Sequence, residues 1–293
     1  MLTLGGHEKD LGGGLRVRRL LPAAPRRAVG PFVFMDHFGP LDIAPGMNTD
    51  VRPHPHIGLA TVTYLFEGAM QHQDSLGSVQ RIEPGAINWM SAGRGIVHSE
   101  RTPADLRTRN HRLHGLQLWV GLPTALEESA PAFSHTPAAQ LGPFSEQGAQ
   151  VRLLVGEAFG RLSPVRTASP TVFVAVELQA GTAFTLPALA PELAVYPLDG
   201  DVVIDGTPLP ARTLGVLDEN LGCRIEAAAD CTVVVIGGAA LDGPRFLLWN
   251  FVSSSRSRLQ RAAEDWRDQR LGSVPGDSEF IPLPPTVLKP ASE

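Results

Sequence analysis

Two β-sandwiches in series, an all-β protein, is what this sequence predicts, and three observations predict it. Thirty Gly and 26 Pro cut the 293 residues into short runs rich in Val, Leu and Thr, the spacing of strands joined by tight turns. The runs are too many for one sandwich, and between Phe133 and Gln150 the chain turns polar, with Pro137, Gly142, Pro143 and Gly148 as breakers. The chemistry is also uneven, because all nine His lie at or before position 135. We therefore divide the chain into 1–135, a linker 136–150, and 151–293.

In order, the expected strands are Leu15 to Leu21, Pro31 to Met35, Leu59 to Phe66, Ser78 to Ile82, Ala86 to Met90 and Leu113 to Gly121 in the first half. The second half offers Val151 to Val155, Val172 to Leu178, Ala194 to Leu198, Asp201 to Ile204, Leu214 to Leu217, Cys223 to Ala227 and Thr232 to Gly237. One helix is expected near the end. Ser253 to Ser255 supply N-caps, and Leu259, Ala262, Ala263 and Trp266 follow the spacing of one buried helical face. The Pro- and Gly-rich stretch from Gly272 to Pro285 should then lie extended on the body of the protein.

Composition excludes several functions. The net charge of -5 argues against a general nucleic-acid binder, which needs surplus Lys and Arg. The arginines at 16, 18, 19, 26 and 27 read better as an edge strand with a charged surface than as a polyanion site. No apolar run approaches the ~18 residues of a membrane span, and Met1 to Asp10 lacks the pattern of a secretory signal. The expectation is a cytoplasmic protein with no membrane partner, in which Cys223 and Cys231 stay as buried thiols.

Candidate chemistry lies in two short motifs. In Pro53-His54-Pro55-His56 the imidazoles are at i and i+2, the same face of an extended segment, and Pro55 biases both itself and His54 toward extension. Val97-His98-Ser99-Glu100 repeats the spacing with a carboxylate. Facing each other across a small barrel, the pairs make a site of His54, His56, His98 and Glu100. Four such donors on a six-coordinate ion leave two positions open, which suits Fe(II) first, with Mn, Ni, Cu, Co and Zn as alternatives. The remaining His-containing motifs, Asp36-His37, His111-x-x-His114 and His72 in the expected loop from Gly68 to Leu76, read as ordinary hydrogen-bonded or solvated side chains. Trp89 and Trp119 read as core packing, and Arg94 as part of a glycine turn rather than an anion site.

The motifs resemble those of metal-binding cupins with one rearrangement: the usual first-motif Glu falls on Thr61 and the usual second-motif Asn on Thr102, while the carboxylate reappears at Glu100. That rearrangement resembles the pirin family. So do PFVFMDHFGP from Pro31, PHPHIGLATVTYLFEGAMQHQDS from Pro53, INWMSAGRGIVHSE from Ile87, HGLQLWVGLP from His114 and LLWNFVSSS from Leu247. The resemblance implies a bicupin, two jelly-roll barrels in tandem with a short C-terminal helix. It also implies one metal, usually iron, held in the first barrel at the His54, His56, His98 and Glu100 positions.

It further implies quercetinase-type chemistry, in which O2 opens the central ring of a flavonol or a similar enolisable aromatic compound and carbon monoxide leaves. Glu100 is then the candidate catalytic base as well as a ligand. The rival expectation, also implied by the family, is an iron-dependent regulatory protein that binds a transcription factor or a metabolic enzyme. A deep apolar pocket at the metal would favour catalysis. A monomer is the family expectation, and a sugar-phosphate isomerase or storage cupin ranks last because Thr61 replaces the usual Glu.

Overall fold

The computed structural model describes residues 1–11, 14–218 and 221–287. It contains two antiparallel sandwiches of the same build, each a seven-stranded sheet facing a four-stranded one. In the first, the large sheet runs in the order Ala132–Thr136, Ile87–Ser91, Leu59–Glu67, His111–Gly121, Phe32–Ile43, Arg16–Leu21 and His7–Asp10. Its small sheet runs Val51–His56, Ile96–Arg101, Met70–Asp74 and Val79–Ile82. The second sandwich pairs Ala183–Leu186, Cys223–Ala227, Val202–Ile204 and Thr207–Leu209 in its small sheet. Its large sheet centres on Glu192–Pro197, Cys231–Gly238 and Thr171–Leu178.

The central strands of both large sheets are buried on both faces, which is why they read as unbroken apolar runs instead of alternating ones. In Thr171–Leu178, Val174 and Val176 point into the second sandwich core, while Phe173 and Ala175 join a core shared with the first sandwich. Met35, Val62, Tyr64, Leu116 and Leu118 reach that shared core from the other side. The sandwiches are thus joined back to back through the outer faces of their large sheets. Cys223 and Cys231 are buried free thiols.

The chain ends cross over between the sandwiches. Leu2–Leu4 pairs with Leu214–Val216 of the second large sheet, although the sequence division placed it in the first half. The helix Arg256–Arg267, divided into the second half by sequence, packs instead on the first sandwich, where Leu259, Ala262, Ala263 and Trp266 cluster with Ile57, Val97 and Phe251. The physical reason is burial: Trp266 is 1% exposed, and full burial of a side chain of this kind is worth about 1.5–3 kcal/mol. Ser255 caps the helix, its Oγ accepting from the backbone N–H of Arg258 at 3.3 Å.

Gly58 permits this docking. At φ +66° it brings the backbone against the C-terminal segment, and a Cβ there would stand 2.0 Å from the Val252 oxygen. A buried ion pair fastens the same region, Arg245 Nε to Glu127 Oε1 at 2.8 Å, with Glu127 also accepting from Ser253 Oγ and the Ser254 N–H. Beyond the helix, the tail lies along the small sheet: Ile281 N–H donates to the Pro53 oxygen, and Trp266 Nε1 to the Ile281 oxygen.

Two sequence expectations change. Arg16–Leu21 is not an edge strand, because His7–Asp10 covers it; that outer strand is exposed along its whole length and carries no apolar signal. On the covered strand Arg19 pairs with Asp36 and Arg18 donates to the Gly5 oxygen, while Arg26, beyond the strand's end, pairs with Glu192 of the second sandwich. The stretch expected to be a linker holds a 3-10 turn, Ala138–Leu141, and the strand Phe144–Glu146, whose backbone groups pair with Ala149–Val155. No helix among the described residues is long and apolar enough to cross a membrane.

Candidate metal centre

The two histidine motifs lie on neighbouring antiparallel strands of the first small sheet. His54 stands opposite His98, and His56 opposite Ile96, so three imidazoles gather on one face. The pairing slips by one residue between His98 and Glu100, as at a β-bulge. All three rings are buried, and one nitrogen from each lies within 4.8 Å of the other two. His56 Nε2 and His98 Nε2 are 3.1 Å apart.

Which nitrogen is free follows from the partner of the other. His54 Nδ1 donates to the Arg52 oxygen and His56 Nδ1 to the Asn250 oxygen, both at 2.9 Å. A carbonyl can only accept, so Nδ1 carries the hydrogen and the lone pair sits on Nε2, facing the cluster. Burial pushes His54 down to about 4 and holds His56 and His98 well below the usual range. The rings are therefore neutral at physiological pH, the state that binds metal.

Glu100 is buried in the same cavity, and its Oε1 lies 3.7 Å from His98 Nδ1, outside the three-imidazole set. Desolvation pushes its carboxyl up to about 8. Three neutral nitrogen donors beside a buried carboxyl that, among the described residues, pairs with no Lys or Arg suit a divalent metal, whose charge would favour the ionised carboxylate.

Around the cluster lies a cavity of about 350 Å³, lined by Phe34, Phe38, Trp119 and Met70 as well as His54, His56 and Glu100. Trp119 therefore belongs to the site wall and not only to the core; its ring meets His56 edge-on, with centroids 5.1 Å apart. Phe34 stacks on Trp119 at 3.9 Å, and the Arg19 guanidinium lies 4.3 Å over Phe34. Trp89 packs in the shared core, as the sequence suggested.

Sequence reasoning missed one member of the neighbourhood. His72, read as a solvated loop residue, is buried on the strand Met70–Asp74, beside His98. The signal was present: His72-x-Asp74 has the same i, i+2 spacing as the ligand motifs, but the Gly68 turn made the segment look like a loop. Asn250, which orients His56, lies 194 positions away, and no local pattern could reveal it. His37 and His114 form a separate buried chain at the seam between sandwiches, His37 Nδ1 bonding to Tyr196 Oη at 2.7 Å and Nε2 to His114 Nε2 at 2.8 Å. His111 bonds locally to the Arg109 oxygen, and Arg94 is exposed.

Two sandwiches of equal build, with metal-type donors gathered in the first alone among the described residues, define a bicupin with one equipped half. Residues 14–120 match the Pirin family model, and residues 173–272 match that of the Pirin C-terminal cupin domain. The chain belongs to the pirin family. It is 45% identical over 287 residues to a pirin-like protein of Caulobacter vibrioides, covering 97% of this chain and 99% of that one. Among solved structures, the quercetin 2,3-dioxygenase of Acinetobacter baumannii superposes with a TM-score of 0.91 at 34% identity, covering 100% of this chain and 96% of the other. A bacterial pirin of Escherichia coli crystallised with nickel(II) shares the fold, with a TM-score of 0.64 at 20% identity, covering 82% of this chain and 99% of that chain.

Proposed function

We propose that this chain is a metal-dependent dioxygenase that opens the central ring of a flavonol, or of a similar enolisable aromatic compound, with O2 and releases carbon monoxide. The observation that carries the reading is the cavity of about 350 Å³ over the histidine cluster, walled mainly by apolar and aromatic side chains with Lys9, Asp10, Arg19, Asp36 and Gln117 among its polar lining. A protein that only displays its metal state to a partner has no use for such a pocket, whereas a planar substrate needs one.

His54, His56 and His98 would hold the metal through Nε2, with a Glu100 oxygen as the fourth donor. When bound, a divalent metal, Fe(II) first, supplies Lewis acidity and a meeting point for O2 and substrate. The flat Phe34–Trp119 stack would orient the substrate rings, and Leu15, Val17 and Phe38 keep water away from them. Glu100 is the proposed base. Its carboxylate, which the charge of a bound divalent metal would keep ionised, would take the flavonol hydroxyl proton on the oxygen not engaged with the metal.

The test is aerobic incubation of the iron-loaded protein with quercetin, following flavonol loss and carbon monoxide release beside a His56→Ala control. Turnover that needs both metal and O2 is expected. No turnover from protein holding stoichiometric iron would overturn the reading, and metal-dependent capture of a protein partner would then become the leading alternative.

A further inference from the structure

Two of the three clustered histidines owe their tautomer to a backbone carbonyl; among the described residues, none meets His98 Nδ1. His98 faces a different device. Across the strand pairing, Asp74 lies opposite His98 and His72 opposite Glu100, so a third inward pair adjoins the first two. His72 is 5% exposed and Asp74 0%. Asp74 Oδ1 accepts from the backbone N–H groups of Leu76 and Ser78 at 2.9 and 3.0 Å, and Oδ2 meets His72 Nε2 at 3.0 Å.

A carboxylate already accepting two backbone hydrogens has only acceptor capacity to offer the imidazole, so His72 Nε2 carries the hydrogen and its Nδ1 carries the lone pair. That lone pair faces His98 Nδ1 at 3.5 Å. The His72 ring is held in place by stacking on Phe133, with centroids 4.2 Å apart and planes 9° from parallel. His98 has one hydrogen and two acceptors competing for it, His72 Nδ1 at 3.5 Å from its Nδ1 and His56 Nε2 at 3.1 Å from its Nε2. We infer that Asp74 and His72 are positioning residues that bias this competition, drawing the hydrogen of His98 toward Nδ1 and freeing its Nε2 lone pair toward His54 and His56. Where the other two ligands use a carbonyl, His98 uses a carboxylate acting through an imidazole. The consequence for affinity rests on the metal reading above, but the tautomer itself belongs to the metal-free protein.

Long-range proton–nitrogen NMR of the metal-free protein at ~pH 8, above the ordinary histidine range, reads each tautomer directly. Wild type should show a substantial Nδ1–H fraction for His98, in competition with the contact from its Nε2 to His56 Nε2. His72→Phe keeps the stack on Phe133 and removes the acceptor, so His98 should shift toward the Nε2–H form while His54 and His56 stay as they are. Asp74→Asn should act the same way, because an amide N–H can donate to His72 Nε2 and turn that ring around. Nickel(II) affinity, measured by chelator competition, should fall about 10–100-fold in both variants. His72→Gln, which restores a carbonyl acceptor, should recover part of that loss.

The inference is overturned by a wild-type His98 carrying its hydrogen wholly on Nε2, or by a folded His72→Phe or Asp74→Asn protein with unchanged His98 tautomer populations and nickel affinity. If the wild-type tautomers are as stated and shift in the variants, yet no protein binds nickel, the lock stands and the metal reading fails.

Discussion

The small sheets of the two sandwiches occupy equivalent places and do opposite things. In the first, three adjacent strands turn polar pairs inward: His54 with His56, His98 with Glu100, and His72 with Asp74. In the second, the matching surface carries Phe184, Leu186, Val202, Ile204, Cys223 and Ile225, and these fill the interior. An apolar interior needs only volume and shape. A polar one must also find partners for its donors and acceptors: here the Arg52 oxygen and the Asp74 carboxylate come from the same sheet and the Asn250 oxygen from outside it. The first sandwich is consequently the one that the C-terminal helix and tail reinforce, and the second serves as a scaffold joined to its back.

This contrast can be broken at several points. The largest effect is expected at the site: His56→Ala should weaken metal binding at least ~100-fold while the circular dichroism of the folded protein is retained, as elemental analysis and thermal melts would show. Full metal content would dissolve the distinction between the halves. The converse change, Phe184→Ala in the second core, should cost about 3–5 kcal/mol in urea unfolding yet leave the metal content of the folded fraction intact. Metal loss in step with that destabilisation would mean that the halves are not functionally separate.

The seam between them should be sensitive to acid. Burial first, then His114, Arg212 and Arg18, push His37 down to about 3, while an unfolded chain titrates near ~6.5. Between those values the unfolded state binds a proton that the native state does not, so stability falls as pH falls through that window. The loss should amount to a few kcal/mol, at ~1.4 kcal/mol per pKa unit, and His114, also depressed by burial, shares it. Urea titrations from pH 7 to pH 4 should therefore show a steep decline that His37→Gln lessens, the remainder coming from the likewise depressed His54, His56 and His98. A wild-type stability independent of pH in that range would rule this out. The smallest effect is expected at the helix cap, where Ser255→Ala should cost about 1 kcal/mol without altering metal affinity.

How much of this was legible depended on how local the physics was. The His54/His56 and His98/Glu100 pairs could be read because side chains two apart on a strand share a face, whatever the rest of the fold does. The helix was legible from the spacing of Leu259, Ala262, Ala263 and Trp266 and from the Ser255 cap. His72 was misread because the turn at Gly68 outweighed a two-residue pattern, and His7–Asp10 was missed because an outer strand exposed throughout has no apolar alternation. The docking side of the helix was not legible at all, since its apolar face would satisfy either sandwich.

The sequence by itself determined the class of fold, the half that bears the chemistry and the three imidazoles of the cluster, because backbone periodicity and residue type act over a few positions. Only the tertiary structure decided what surrounds them. It brought the Asn250 carbonyl to His56, Trp119 to the cavity wall, Tyr196 to His37 across the seam, and the two chain ends onto opposite sandwiches. Those contacts join residues far apart in the chain, and they form because burying each apolar face leaves one arrangement in which the polar groups beneath it also find partners.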